Sequence, residues 1–304
     1  MGDHRFVLYG TALVVAGALG WAGFIRKVDA DPGTLINASR MRLEQASMHS
    51  LQGQGPLNRV CRELLEKADA DLELAERLVR RDPGANVLPG GDLEDVLAMI
   101  WEYRAWGRYL GRDREEAIAF YGRIVESDGI EPGRRSRVYL SMAGIYMEMG
   151  RSESALKALD RLAGGAGRLA GKDRARAALL RARALRRLGA PLAEVAASLD
   201  RAGRAGGENH TLQCDRAELY AEMGMRAEAC RAYERAAVNH PRAFLPLARL
   251  KFRAGDVEGA LSALERLAEI EPEWLRARLG REKGLGNLAE DPALQAKLDG
   301  KREK

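Results

Sequence analysis

A short pattern recurs along this chain and limits what it can fold into. Around Gly224 it reads Tyr220-Ala221-Glu222-Met223-Gly224, followed by Ala229, Tyr233, Ala236 and Pro241. Tyr146, Gly150, Ala155 and Leu159 repeat it upstream, and Gly255, Ala260, Leu264, Leu267 and Pro272 repeat it downstream. Each copy reads as a helix ending at glycine, then a second helix that sets a small alanine against the first. Antiparallel helices approach closely only where both contacting side chains are small. Ala143 is therefore expected against Ala155, and Ala217 against Ala229, with Tyr146, Tyr220, Tyr233 and Leu264 filling the gaps between neighbouring pairs. One helix pair buries too little surface alone, so at least three must stack.

Turn glycines fall at 111, 150, 189, 224 and 255, spaced 39, 39, 35 and 31 residues apart. They define five hairpins over residues 92–272, the longer ones holding inserts such as Gly164-Gly165-Ala166-Gly167. Pro191 is expected near a helix start, where a missing N–H costs least. Pro246 should kink the first helix of the last unit or delay its start. Charged residues make up 31% of the chain and aromatics 6%, which suits many small helix–helix contacts better than one thick core. No alternating β-branched run argues for a sheet. The expected class is all-α, an α-solenoid of stacked helical hairpins.

The array has flanks. Residues 31–91 hold a helical pair, with apolar spacing from Leu57 to Val79, read as a cap or degenerate repeat. Residues 273–304 read as capping helices, the last opening at Asp291-Pro292, with a charged tail from Lys297 expected to fray. Residues 1–30 contain an uncharged run, Phe6 to Ile25, 20 residues long. As a helix it measures roughly 30 Å, the thickness of a bilayer core. Arg5 and Arg26-Lys27 bracket it. It reads as a single transmembrane signal-anchor. A cleaved signal peptide ending near Val28-Asp29-Ala30 is the rival, although the run is longer than a usual signal core. The excess of Arg and Lys after the run turns the large domain toward the cytoplasm, with a periplasmic placement as the alternative.

Nothing in the sequence has the spacing of a catalytic motif. The four histidines show no metal-ligand spacing, and the three cysteines (Cys61, Cys214, Cys230) form no CxxC pair. No phosphate-cradling loop or nucleophile elbow occurs. The expectation is a non-enzyme with no cofactor and no metal, its thiols buried and inert. Net charge is +5, and the basic run Lys172 to Arg187 carries no aromatic interleaving, so nucleic acid is not favoured.

Over residues 92–272 the recurring residues resemble the tetratricopeptide repeat family. The resemblance implies a right-handed superhelix whose concave groove is lined by the first helix of each hairpin. It also implies a protein or peptide segment as partner, and no chemistry. Carried onto this chain, the groove positions include Arg137, Arg176, Arg183, Arg187, Glu218, Glu222, Arg242, Arg249 and Arg253, with Gly144, Glu148, Leu179 and Leu245 among them. The Asn residues of the family's carboxylate clamp are missing, so that activity is not carried over. Guanidinium groups pair well with carboxylates, which suggests an acidic or mixed-charge segment. The competing reading is that these charges pair internally or face water. The anchor-plus-array layout also resembles bacterial envelope-assembly scaffolds. The resulting expectation is a scaffold anchored in the bacterial inner membrane through residues 6–25, recruiting a protein partner to an assembly. The alternative is an exported periplasmic factor that handles lipid or polymer assembly.

Overall fold

A computed structural model describes residues 31–51, 57–82, 92–164, 169–279, 282 and 285–299. Among these residues every regular element is a helix. None is long and apolar enough to cross a membrane, and the 6–25 run lies outside the described residues. Packing divides the chain into two compact units, Met1–Glu131 and Pro132–Lys304. The sequence-based boundary at 91/92 falls inside the first.

The first unit holds α1 (Pro32–Leu51), α2 (Arg59–Arg81), α3 (Leu93–Leu110) and α4 (Arg114–Glu126). They form two hairpins, α1 with α2 and α3 with α4, and α3 packs on both helices of the first pair. The reason lies in spacing. Ala68, Leu72, Ala75 and Val79 recur at three- and four-residue steps on α2, and all four are buried. Asx side chains start the helices. Asn58 accepts from Cys61 N (2.7 Å), Asp92 from Asp95 N (2.8 Å) and Asp113 from Glu116 N (3.1 Å).

Ion pairs stitch α2, α3 and α4 together. The Glu76 carboxylate accepts from Trp101 Nε1 (3.1 Å), Arg80 Nη2 (3.0 Å) and Arg104 Nη1 (3.1 Å). Arg104 also reaches Asp69 (3.0 Å) and lies over the Phe120 ring, 4.4 Å from its centre. Burial alone would raise the Glu76 carboxyl. The hydrogen bonds from Trp101 and Arg80 and the charges of Arg80 and Arg104 outweigh it and hold the group below the usual carboxylate range.

The second unit continues the pairing with α5 (Pro132–Glu148) and α6 (Ser152–Gly164), α7 (Gly171–Arg187) and α8 (Leu192–Gly206), α9 (His210–Glu222) and α10 (Arg226–Asn239), α11 (Phe244–Arg253) and α12 (Val257–Ile270). Each hairpin packs on the next: α6 on α7, α8 on α9, α10 on α11. Three short helices close the end: α13 (Pro272–Leu279), α14 (Gly286–Ala289) and α15 (Pro292–Asp299). Their Leu275, Leu294 and Leu298, with Leu285 just before α14, join the core of the last full hairpin. Ala143, Ala155, Ala217 and Ala229 are all fully buried, as the close-approach argument requires.

At Gly150, Gly189, Gly224 and Gly255 the backbone enters the left-handed region, with φ between 72° and 83°. At Gly224, for example, Met225 N then bonds Tyr220 O (2.9 Å), closing the helix end. The first turn differs from expectation. Gly111 stays right-handed (φ −69°), and Arg112 takes the left-handed position instead (φ 67°). Pro246 kinks nothing. A 3₁₀ turn, Pro241–Ala243, precedes α11, so Pro246 falls in the first helical turn, where no intrahelical donor is lost. Of the tail expected to fray, residues 297–299 are helical, with Leu298 buried and Lys297 Nζ bonded to Glu269 (2.8 Å) and Glu265 (3.1 Å) on α12, and residues 300–304 lie outside the described residues.

Candidate binding cleft

The first helices of three successive hairpins, α5, α7 and α9, border a cleft of about 630 Å³. Lys172, Arg176, Arg183 and Arg187 recur along α7 at steps of four, seven and four residues, so one helical face carries all four. All four line the cleft. Its floor is apolar: Met147, Leu179, Leu180 and Leu212 are buried there. Asn209 and Thr211 contribute from the start of α9, where Asn209 caps the helix by accepting from Leu212 N (3.1 Å).

These cations are not equivalent. Arg183 is paired with Asp215 of α9 (2.9 Å). Arg187 donates to the Met147 carbonyl (2.6 Å). Lys172 and Arg176 make no ion pair or hydrogen bond among the described residues, and both are exposed. Arg176 extends over Gly144 of α5, where an added Cβ would stand 3.6 Å from Arg176 Nη2. A half-exposed pair such as Arg183–Asp215 contributes less than about 1 kcal/mol, so an incoming segment can displace it at small cost.

Of the groove residues read from the sequence, the cleft gathers Arg176, Arg183 and Arg187, together with Gly144, Glu148 and Leu179. Arg137 is exposed on α5 and does not line it. Glu218 and Glu222 are exposed on α9 and make no salt bridge or hydrogen bond among the described residues. Burial, then the charges of Asp215 and Glu222, push the Glu218 carboxyl up, with Arg183 opposing. Arg242 pairs with Glu271 (2.8 Å) and lies over the Trp274 ring, and Arg249 pairs with Glu282. For these two arginines, internal pairing is the outcome. Arg253 is exposed and unpaired among the described residues. Leu245 is a correction: it is buried in the core instead of facing a groove.

Sequence reasoning passed over Thr211 and Asp215 as cleft residues. The signal was present, since 211, 215, 218 and 222 share one face of α9 at helical spacing. The thiols differ among themselves. Cys61 is buried, while Cys214 and Cys230 are half-buried, and desolvation raises all three above the ordinary thiol range. No cluster of three or more His, Cys, Asp or Glu suited to a metal ion occurs among the described residues.

Against known proteins, the match is local. Residues 215–243 match the tetratricopeptide repeat model. That stretch covers most of the α9–α10 hairpin and the turn after it, and contributes Asp215 to the cleft. No curated protein matches the chain. Among solved structures, the chain is similar to pilF of Pseudomonas aeruginosa (18% identity, 82% of this chain and 100% of that one, TM-score 0.49). It is also similar to PilW, described as a type IV pilus biogenesis factor (20% identity, 68% and 94% covered, TM-score 0.47). A third is YrrB, described as a TPR protein with an unusual peptide-binding site (20% identity, 62% and 93% covered, TM-score 0.43). With TM-scores below 0.5, these likenesses say nothing of what this chain binds.

Proposed function

We propose that this chain is a membrane-anchored tetratricopeptide scaffold that holds an extended segment of a protein partner in the α5–α7–α9 cleft. One observation carries the reading. Lys172 and Arg176 stand unpaired above an apolar floor, so charge and hydrophobic surface are both left for a guest. The match of residues 215–243 to a repeat family of protein-binding modules supports the same partner class. The uncharged run 6–25 supplies the anchor in this reading, in the bacterial inner membrane with the array on the cytoplasmic side. Confinement to a surface raises the effective concentration of a captured partner without any added contact.

The test uses the full chain in neutral detergent, immobilised and exposed to extract of its own cells. Lys172→Glu with Arg176→Glu is expected to lower the retained partner by about tenfold or more, a loss of about 1.4 kcal/mol. Lys157→Glu with Arg161→Glu on α6, outside the cleft, is expected to leave retention unchanged. Equal retention by both double variants would remove the cleft from the account. For the anchor, deleting residues 1–30 should release the chain from sedimenting membranes, and continued sedimentation refutes that part.

A further inference from the structure

The cleft carries both signs of charge: four cations and Asp173 on α7, and Asp215 on α9. On α7 the cleft-lining cations without a partner are Lys172 and Arg176, with the Asp173 carboxylate beside them. On α9 the unpaired carboxylates are Glu218 and Glu222, which continue the Asp215 face beyond the residues that line the cleft. The two sets have not neutralised one another. The Arg183–Asp215 bridge stands between them and serves as a level mark. Arg176 lies seven residues before Arg183 on α7, and Glu218 three residues after Asp215 on α9. At ~1.5 Å per helical residue, and with neighbouring helices roughly 10 Å apart, the nearest members of the two sets, Arg176 and Glu218, sit about 18 Å from each other. An extended chain covers that distance in about five residues.

We propose that the guest segment is dipolar, with a carboxylate side chain over Lys172 and Arg176, a cationic side chain about five residues away over Glu218 and Glu222, and an apolar side chain between them. This rests on the cleft reading above and narrows it. The apolar position crosses the buried Leu179 and Leu212 floor. A purely acidic segment meets like charge as soon as it leaves α7, since Asp215, Glu218 and Glu222 all lie on α9. Like-charge juxtaposition excludes wrong partners more strongly than matched charge attracts right ones, so the pattern sets specificity first.

The experiment pans a library of random nine-residue segments, displayed on phage, against the full chain in neutral detergent. Four proteins are used: wild type, K172E/R176E, E218K/E222K and Gly144→Trp, which fills the cleft. Thermal melts confirm that each variant is folded, and Gly144→Leu replaces Gly144→Trp if the larger side chain unfolds the chain. Wild type is expected to enrich segments with one acidic and one basic residue four to six positions apart. K172E/R176E should lose the acidic preference about tenfold and keep the basic one, and E218K/E222K should do the reverse. Enrichment of purely acidic segments, or of segments without charge preference, overturns the dipolar pattern and leaves the cleft reading standing. Equal enrichment by wild type and the filled cleft, or none by wild type, overturns both.

Discussion

Replacing Arg216 by methionine is expected to lower the stability of the full chain by about 3 kcal/mol in urea unfolding followed by helical circular dichroism. Arg216 is only 5% exposed. It sits where α9 meets α8, the joint between two hairpins. Its Nε donates to the Leu199 carbonyl (2.8 Å) and its Nη1 to Gln213 Oε1 (2.6 Å). Asp200 lies 3.7 Å from Nη2 and also accepts from the Tyr220 hydroxyl (2.8 Å). Burial, then that bond to Asp200, push the Tyr220 phenol up to about 12. Methionine keeps the apolar stem but leaves the buried Gln213 oxygen without its donor. Room for the guanidinium exists because residue 203 is glycine, where a Cβ would stand 2.4 Å from Arg216 Cζ. Gly203→Ala should therefore destabilise through the same joint. A loss below about 1 kcal/mol for Arg216→Met would show that hydrophobic packing alone fixes the two hairpins.

Glu76→Gln is expected to cost about 2–3 kcal/mol, and to change the pH dependence of stability as well as its size. The carboxylate serves three donors with two oxygens. An amide keeps one acceptor oxygen and turns an NH₂ toward the guanidinium or indole donors. The folded Glu76 carboxyl lies below its ordinary value, so the unfolded chain takes up the proton first. The contribution is whole above the unfolded value of about 4.3 and is lost as pH falls through the folded value. Wild-type stability should therefore fall as pH drops below about 5, and the Glu76→Gln curve should be flatter there. Parallel curves would remove Glu76 as the source.

Much of the architecture was legible because its determinants are local. Glycines at helix ends, alanines at close approaches and three- or four-residue apolar spacing each act within one hairpin. The failures lie where a distant or backbone partner decides. The place of Arg216 depends on the Leu199 carbonyl and the space at Gly203, and neither leaves a side-chain pattern. Leu245 was carried onto the groove by the resemblance, yet it packs in the core that the last hairpin shares with the closing helices, and those contacts come from distant residues. The α7 face was readable because Lys172, Arg176, Arg183 and Arg187 share one uninterrupted helix. Which of its cations are free was not readable, because Asp215 and the Met147 carbonyl come from other hairpins.

The most direct measurement places a photo-crosslinking amino acid at Arg176 in the full chain and, separately, at Arg161 on α6, and irradiates living cells of the source organism. A partner seated between α5, α7 and α9 gives a discrete crosslinked protein from position 176, absent from position 161 and lost when Gly144→Trp fills the cleft. Equal crosslinking from both positions, or a product at 176 that survives the filled cleft, contradicts the account.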